Sequence, residues 1–331
     1  MTDGRHRRLP PSAWYPAGDA VATSRVLHLA SGLRARVVEA GPPDGAPVVL
    51  LHGWACSAYS FRQQLPALAA EGYRAAAIDL KGHGLSDKPT DAAEYSPAAM
   101  VRFAIEAIDA LGLSQTALVG HSLGGGIATG VALAEPQRVT RLAVISAVGF
   151  GTIPFLPVVR QLPSPLVERP IQRVMPRWLW QLVLRAVTGR LWPYTARDID
   201  EYWAATQFPE FRLALWRLVQ QYAWTPLPLD ARTRIRVPLL VVYGSRDLVV
   251  RRADAAPMAA AEAAQAATAM TGPADVHIVA GAGHAAQEEA PDEINRLLLR
   301  FLEPWRAEWR AGRPRETEEP PAVRPVLAPP R

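Results

Sequence analysis

A serine hydroxyl becomes a nucleophile only when a base takes its proton, and the base works best when a carboxylate orients it. This chain offers each part in a suggestive setting. Ser122 lies in Gly120-His121-Ser122-Leu123-Gly124, directly after the apolar run 116–119. A serine with glycines two residues away on both sides, between a strand and a helix, is the G-x-S-x-G elbow that lifts the hydroxyl clear of a sheet. Downstream, Asp247 ends Tyr243-Gly-Ser-Arg-Asp247 and His284 ends Gly281-Ala-Gly-His284. Both follow apolar runs that read as strands, so both fall where ligands meet open parallel sheets. An oxyanion formed at such a serine needs two backbone donors. The N–H of Leu123 is one. The loop Leu51-His52-Gly53-Trp54, after an earlier strand, supplies the other, with Trp54 the expected donor.

These groups need a scaffold, and the patterning describes one. Residues 25–30 and 33–40 read as a hairpin around Ser31-Gly32. The runs 47–51 and 74–79 suit strands buried on both faces of a parallel sheet, and 116–119, 139–146, 237–243 and 276–280 read as further strands. Helical stretches alternate with them: 61–71, a segment opened by Ser96-Pro97 and closed by Gly112, the glycine-rich stretch after the elbow, 252–270 and 291–302. Glycines 124, 125, 126 and 130 are poor helix formers, so they are expected to permit close helix–sheet contact. The alternation stops near Phe150 and resumes at Val237. The intervening text is amphipathic and holds Trp178, Trp180, Trp192, Trp203, Trp216 and Trp224.

The expected class is therefore α/β, a mostly parallel central sheet flanked by helices with an inserted helical cap. The expected division is a loose arm at 1–24, a core at 25–149 and 233–311, a cap at 150–232, and a disordered Pro/Arg-rich tail at 312–331.

Composition excludes several classes. The chain has 331 residues, 49% hydrophobic and 20% charged, an ordinary balance for a globular enzyme. Its net charge of +5 is not gathered into a basic stripe interleaved with aromatics on one element, so no nucleic-acid partner is expected. No apolar run is long enough to span a bilayer, so stable membrane insertion is not expected. The start of the chain lacks the apolar core of a secretory signal, and Cys56 is the single cysteine. A cytoplasmic location follows as the expectation. Cys56 reads as a small buried residue, His52 and His83 as loop histidines satisfied by backbone, and Asp79 as a structural carboxylate. His121 is expected to face away from the serine's chemistry. Arg160, Arg169, Arg173, Arg177 and Arg185 read as a solvated face.

Five pieces in order carry a family resemblance: Leu-His-Gly-Trp at 51–54, Asp-Leu-Lys-Gly-His-Gly-Leu-Ser-Asp at 79–87, Gly-His-Ser-Leu-Gly-Gly-Gly at 120–126, Gly-Ser-Arg-Asp at 244–247, and Gly-His at 283–284 followed by Glu289 and Pro291. Over about residues 25 to 305 the chain resembles the α/β-hydrolase superfamily in its cap-bearing branch. The resemblance implies Ser122 as nucleophile, Asp247 as triad acid, His284 as general base, and a lid at 150–232, with no metal or organic cofactor. Two departures stand out. No proline follows Asp247 closely, and the interval to His284 is long, which leaves Asp254 as a fallback acid.

The implied activity is hydrolysis of a carboxylic ester with a hydrophobic moiety through an acyl-enzyme; the same triad supports a cofactor-free perhydrolase side reaction. Relatives that cleave haloalkanes or epoxides place an aspartate at the elbow, which Ser122 opposes. The C–C bond hydrolases of meta-cleavage pathways keep the serine and are the alternative, but they typically carry a tryptophan after the catalytic histidine, where this chain has Ala285. A non-catalytic receptor on the same scaffold is the remaining reading.

Overall fold

The computed structural model describes residues 8–162, 175–251 and 274–312. Eight strands form one sheet in the order β1-β2-β4-β3-β5-β6-β7-β8. They are β1 (Ala22–His28), β2 (Arg34–Ala40), β3 (Ala46–Leu51), β4 (Tyr73–Ile78), β5 (Thr116–His121), β6 (Val139–Ile145), β7 (Leu239–Gly244) and β8 (Asp275–Val279). The first two strands pair antiparallel with each other, and β2 pairs antiparallel with β4; all remaining pairs are parallel.

Strand period explains how the sheet is covered on both faces. In β3 every residue is buried, but alternate side chains belong to different cores. Val49 and Leu51 join one cluster, while Val48 and Leu50 join the other. The first cluster is completed by α2 (Pro97–Ala110) and α3 (Leu123–Ala134). The second is completed by α1 (Gln64–Ala70) and by a long C-terminal helix, Pro291–Arg310. Ser96 caps α2, its side chain accepting from Ala99 N–H, with Pro97 at the first helical position.

Between β6 and β7 lies a helical insertion: α4 (Leu156–Arg160), α5 (Arg177–Val187), α6 (Ala196–Ala204) and α7 (Pro209–Gln221), followed by the short α8 (Leu229–Arg232). After β8 come α9 (Ala286–Glu289) and the long helix, α10.

Two expectations need correction. Trp14 and Tyr15, expected as part of a loose arm, are docked. Both are buried, Trp14 stacks edge-on against Phe208, and Tyr15 N–H donates to Glu201 at 2.9 Å. The insertion supplies both partners, so the strand hairpin and the insertion are tied together. The last helix was expected to end near residue 302; it continues to Arg310 through Pro304. Pro304 is exposed, so the carbonyl left without its N–H faces water. Trp305 one residue later is buried and donates to the Pro47 carbonyl at 3.1 Å, which anchors the extension to β3. The helix expected at 252–270, the fallback acid Asp254, Arg169, Arg173 and the tail from 313 onward lie outside the described residues. Among the described residues no helix is long and apolar enough to cross a membrane.

Candidate active site

Chain order sets where chemistry can collect. From β3 the chain passes to β4 on one side, then returns to β5 on the other. The carboxyl ends of β3 and β5 therefore diverge and leave a crevice, the expected ligand position in an open parallel sheet. Ser122 sits there, on the turn from β5 into α3. Its backbone is left-handed, φ 51°, a strained conformation for a residue with a Cβ. The surrounding turn is too tight for side chains. A Cβ on Gly124 would stand 2.0 Å from the Leu51 carbonyl oxygen, and one on Gly120 would stand 2.5 Å from the carbonyl oxygen of Gly124. The glycine spacing thus reports a steric limit, and the close helix–sheet contact expected of α3 is present.

His284, five residues past the end of β8, places Nε2 2.9 Å from Ser122 Oγ. Its Nδ1 lies 3.0 and 3.2 Å from the two carboxylate oxygens of Asp247, at the end of the loop after β7. Asp247 Oδ1 also accepts the N–H groups of Val249 and Val250, at 2.8 and 2.9 Å. Burial alone would raise the Asp247 pKa, but the nearby His284 and these donors outweigh it and hold it below the usual carboxylate value. A carboxylate kept ionised against Nδ1 fixes the proton there and leaves Nε2 free to accept from the serine.

The loop after β3 is shaped by two histidines. His52 Nδ1–H donates to the Gly53 carbonyl at 2.8 Å while its Nε2 accepts the Leu80 N–H at 2.9 Å. His83 Nε2 accepts the Ala55 N–H at 3.1 Å. Burial pushes both rings below the ordinary histidine value, so each is neutral and can serve as acceptor as well as donor. The bent loop includes Ala55 at φ 63°. Among the described residues, the N–H groups of Trp54 and Leu123 have no hydrogen-bond acceptor, as donors reserved for an oxyanion require. The Trp54 indole donates to the Leu215 carbonyl of α7 at 3.0 Å, fastening this loop to the insertion. Asp79 is fully buried, paired with Arg36 at 3.1 Å and accepting from Ala58 and Leu85 N–H groups. It holds the loops behind the site.

A cavity of about 320 Å³ opens over Ser122. The α4 and α5 helices contribute Leu156, Val159, Trp180 and Leu184, and Val219 and Trp224 close the far side. Cys56 also lines it, partly buried; loss of solvent, more than the nearby Glu288 charge, pushes its thiol up, so it is no thiolate. Of the six insertion tryptophans, Trp180 and Trp224 face this cavity, Trp203 and Trp216 pack in the cores, and Trp178 and Trp192 are exposed.

Three residues that the sequence did not single out as functional complete the site. His121 does not face away. Its Nε2–H donates to the His284 carbonyl at 3.0 Å, and its ring lies 5.0 Å from that of His284. Burial, then the neighbouring His284, push its pKa down to about 3. Glu289 accepts the N–H groups of Gly283 and Gly189, at 2.9 and 2.7 Å, and so clamps the His284 loop to the insertion. Glu288 stands at the polar end of the cavity. It accepts from Tyr202 at 2.7 Å and from Arg62 at 2.5 Å, and Arg62 reaches Asp198 of α6 at 2.9 Å. Burial raises the Glu288 carboxyl despite Arg62. For the first two, the only signal available was their place beside Ser122 and after His284.

The family described as alpha/beta hydrolase fold matches residues 46–291. The chain belongs to this family. It is similar to a non-heme chloroperoxidase of Streptomyces lividans, 31% identical over 79% of this chain and 93% of the relative. It is also similar to a haloalkane dehalogenase of Mycobacterium marinum, 30% identical over 67% of this chain and 75% of the relative. Among solved structures, a membrane phospholipase A described as a bacterial virulence factor superposes with a TM-score of 0.71, at 23% identity, over 87% of this chain and 88% of the other; at that identity the likeness speaks for the fold. The chain is a serine hydrolase of the α/β-hydrolase fold. Its relatives differ in the bond they act on, so within this family the bond is a property of the individual site.

Proposed function

We propose that this hydrolase cleaves a carboxylic ester with an apolar acyl or alcohol part through an acyl-enzyme on Ser122. The observation that carries the reading is the continuous chain from Ser122 Oγ through His284 to Asp247, opening into an apolar cavity. Ser122 Oγ attacks the ester carbonyl as its proton passes to His284 Nε2. The carbonyl oxygen becomes an oxyanion held by the N–H groups of Trp54 and Leu123. His284 returns the proton to the leaving alcohol, and Asp247 stabilises the imidazolium between the two transfers. A water activated by the same histidine releases the acid. The serine at the elbow supports acyl transfer over the aspartate-dependent chemistries.

The cavity supports a compact substrate, since about 320 Å³ is at the small end of the roughly 300–1,000 Å³ usual for ligand sites. Across p-nitrophenyl esters of increasing acyl length, kcat/KM should rise about fourfold per methylene until the cavity is full, then fall. A fluorophosphonate probe should label the wild type and leave Ser122→Ala unlabelled, with turnover of that variant down at least about 10⁴-fold. Labelling without ester turnover would move the proposal to C–C or amide substrates. Neither labelling nor turnover in a folded protein that binds apolar ligands would leave a receptor and sink the enzyme reading.

A further inference from the structure

The inner faces of α4 and α5 line the cavity, and their outer faces carry exposed large apolar side chains as well. In α5, Trp180, Val183, Leu184 and Val187 follow the helical repeat toward the cavity. Trp178, at 64% exposed, and Leu182, at 53%, lie on the opposite stripe. Val158 beside α4 lining residues is 68% exposed, and Leu248, next to the lining residue Val249, is 63% exposed. Phe155 both lines the cavity and is half exposed, so the apolar surface reaches the cavity wall itself. Soluble helices normally turn a polar face outward, whereas the outer stripe of α5 sets the exposed Trp178 and Leu182 among Gln181 and Arg185, the mixed face of a helix that lies at an apolar–polar boundary.

The charge around this surface says what that environment is. Among the described residues between 151 and 195 the charged side chains are Arg160, Arg177, Arg185 and Arg190, with no carboxylate. Among the described residues, Arg160, Arg185, Arg190, Arg246 and Arg251 are exposed on the elements that frame the cavity and pair with no carboxylate. Arg185 lies 5.3 Å over the exposed Trp192 ring, a cation beside an amphipathic aromatic. Exposed Trp and Leu surrounded by uncompensated arginines match the interface of an anionic bilayer, where the apolar side chains enter the acyl boundary and the guanidinium groups meet lipid phosphates.

We propose that the outer face of α4 and α5, with the loops at 188–192 and 246–251, docks on an anionic phospholipid surface and places the cavity wall against it. The docking is independent of the bond that Ser122 cleaves. It is read on the Ser122→Ala protein, so its failure leaves the ester reading standing and the converse also holds. In co-sedimentation, the protein should bind phosphatidylcholine vesicles that contain phosphatidylglycerol and not phosphatidylcholine vesicles alone, and added salt should weaken the binding.

A Trp178→Asp, Leu182→Asp double variant and an Arg185→Glu, Arg190→Glu double variant should each bind about tenfold or more weakly. In the Ser122 background both should keep the wild-type circular dichroism and the wild-type turnover of a short soluble ester, which excludes unfolding as the cause. No binding to the anionic vesicles, or binding that both double variants retain, would overturn the proposal. So would sedimentation velocity showing a dimer that the same substitutions dissolve, since a second copy of the chain would then be the occupant of this face.

Discussion

Asp247→Asn isolates the step on which the proposed mechanism depends. The two oxygens of Asp247 have different duties. Oδ1 carries the Val249 and Val250 N–H groups, and Oδ2 is the one nearer His284 Nδ1, at 3.0 Å. An asparagine in this place keeps its oxygen on the two backbone donors, because turning the amide over would set its NH₂ against two N–H groups and forfeit two bonds of about 1 kcal/mol each. Its nitrogen therefore faces Nδ1 and donates to it. That moves the imidazole proton to Nε2, the nitrogen 2.9 Å from Ser122 Oγ, and a protonated Nε2 cannot accept the serine proton.

The expected loss is about 10⁴-fold in kcat, or about 5.5 kcal/mol of transition-state stabilisation. Asp247 does not line the cavity, so KM should stay within about twofold. The assay is steady-state hydrolysis of the best p-nitrophenyl ester, with active-site titration to count competent enzyme. Retention of more than about a tenth of wild-type kcat would refute the assignment of Asp247 as orienter. A fall in kcat accompanied by an equal rise in KM would refute the tautomer argument, because a wrong tautomer leaves the walls of the cavity unchanged.

His121→Leu should lower kcat about tenfold, since it removes the donor that fixes the His284 carbonyl; steady-state kinetics at matched folded fraction would check it. Asp79→Asn should cost about 3–5 kcal/mol in urea unfolding, because Arg36 is left buried without its charge partner. For Asp79, burial raises the pKa, but Arg36, His52 and the backbone donors bring it below the ordinary aspartate value. Its contribution is therefore complete above the unfolded value of about 3.9 and is lost as pH falls through the folded one, so the wild type should show a drop in stability below about pH 4 that the variant lacks.

Strands were legible where two-sided burial leaves a simple mark: β3 is a continuous apolar run, and β5 is buried along its whole length behind the run 116–119; the edge strand β8 is mostly exposed and was legible only from its place in the alternation. The elbow was legible because its steric limit is local; Gly120 and Gly124 are forced by atoms on the same turn and on the strand beside it. The rest depended on residues far apart in the chain. Trp14 and Tyr15 looked like part of an arm because their partners, Phe208 and Glu201, are nearly two hundred positions away. His121 looked like a free position in the elbow because its partner is the carbonyl of His284, 163 residues on. Glu288 read as one more polar residue before a helix. Only the fold shows Arg62 and Tyr202 converging on it inside an apolar cavity.

Chemistry and selectivity are supported differently in this hydrolase, and that difference explains why one was readable and the other was not. Each proposed reacting group sits on a loop after a parallel strand. Backbone bonds fix its position: Ser122 N–H to the Ile145 carbonyl, His284 N–H to that of Val187, and Asp247 N–H to that of Gly244. The tight turns that carry them admit only glycine at particular places, as at Gly120 and Gly124, which is why motifs survive in a single sequence. The cavity walls are set by side chains of α4, α5 and α7, where any apolar residue of suitable volume maintains packing. Volume and shape there decide which substrate reaches Ser122, yet they impose no spacing rule on the sequence. The insertion is also tied to the core by buried charge, through Arg62 between Glu288 and Asp198. A wall held this way keeps its shape while its lining residues vary, so the same reacting loops can meet different substrates without being rebuilt.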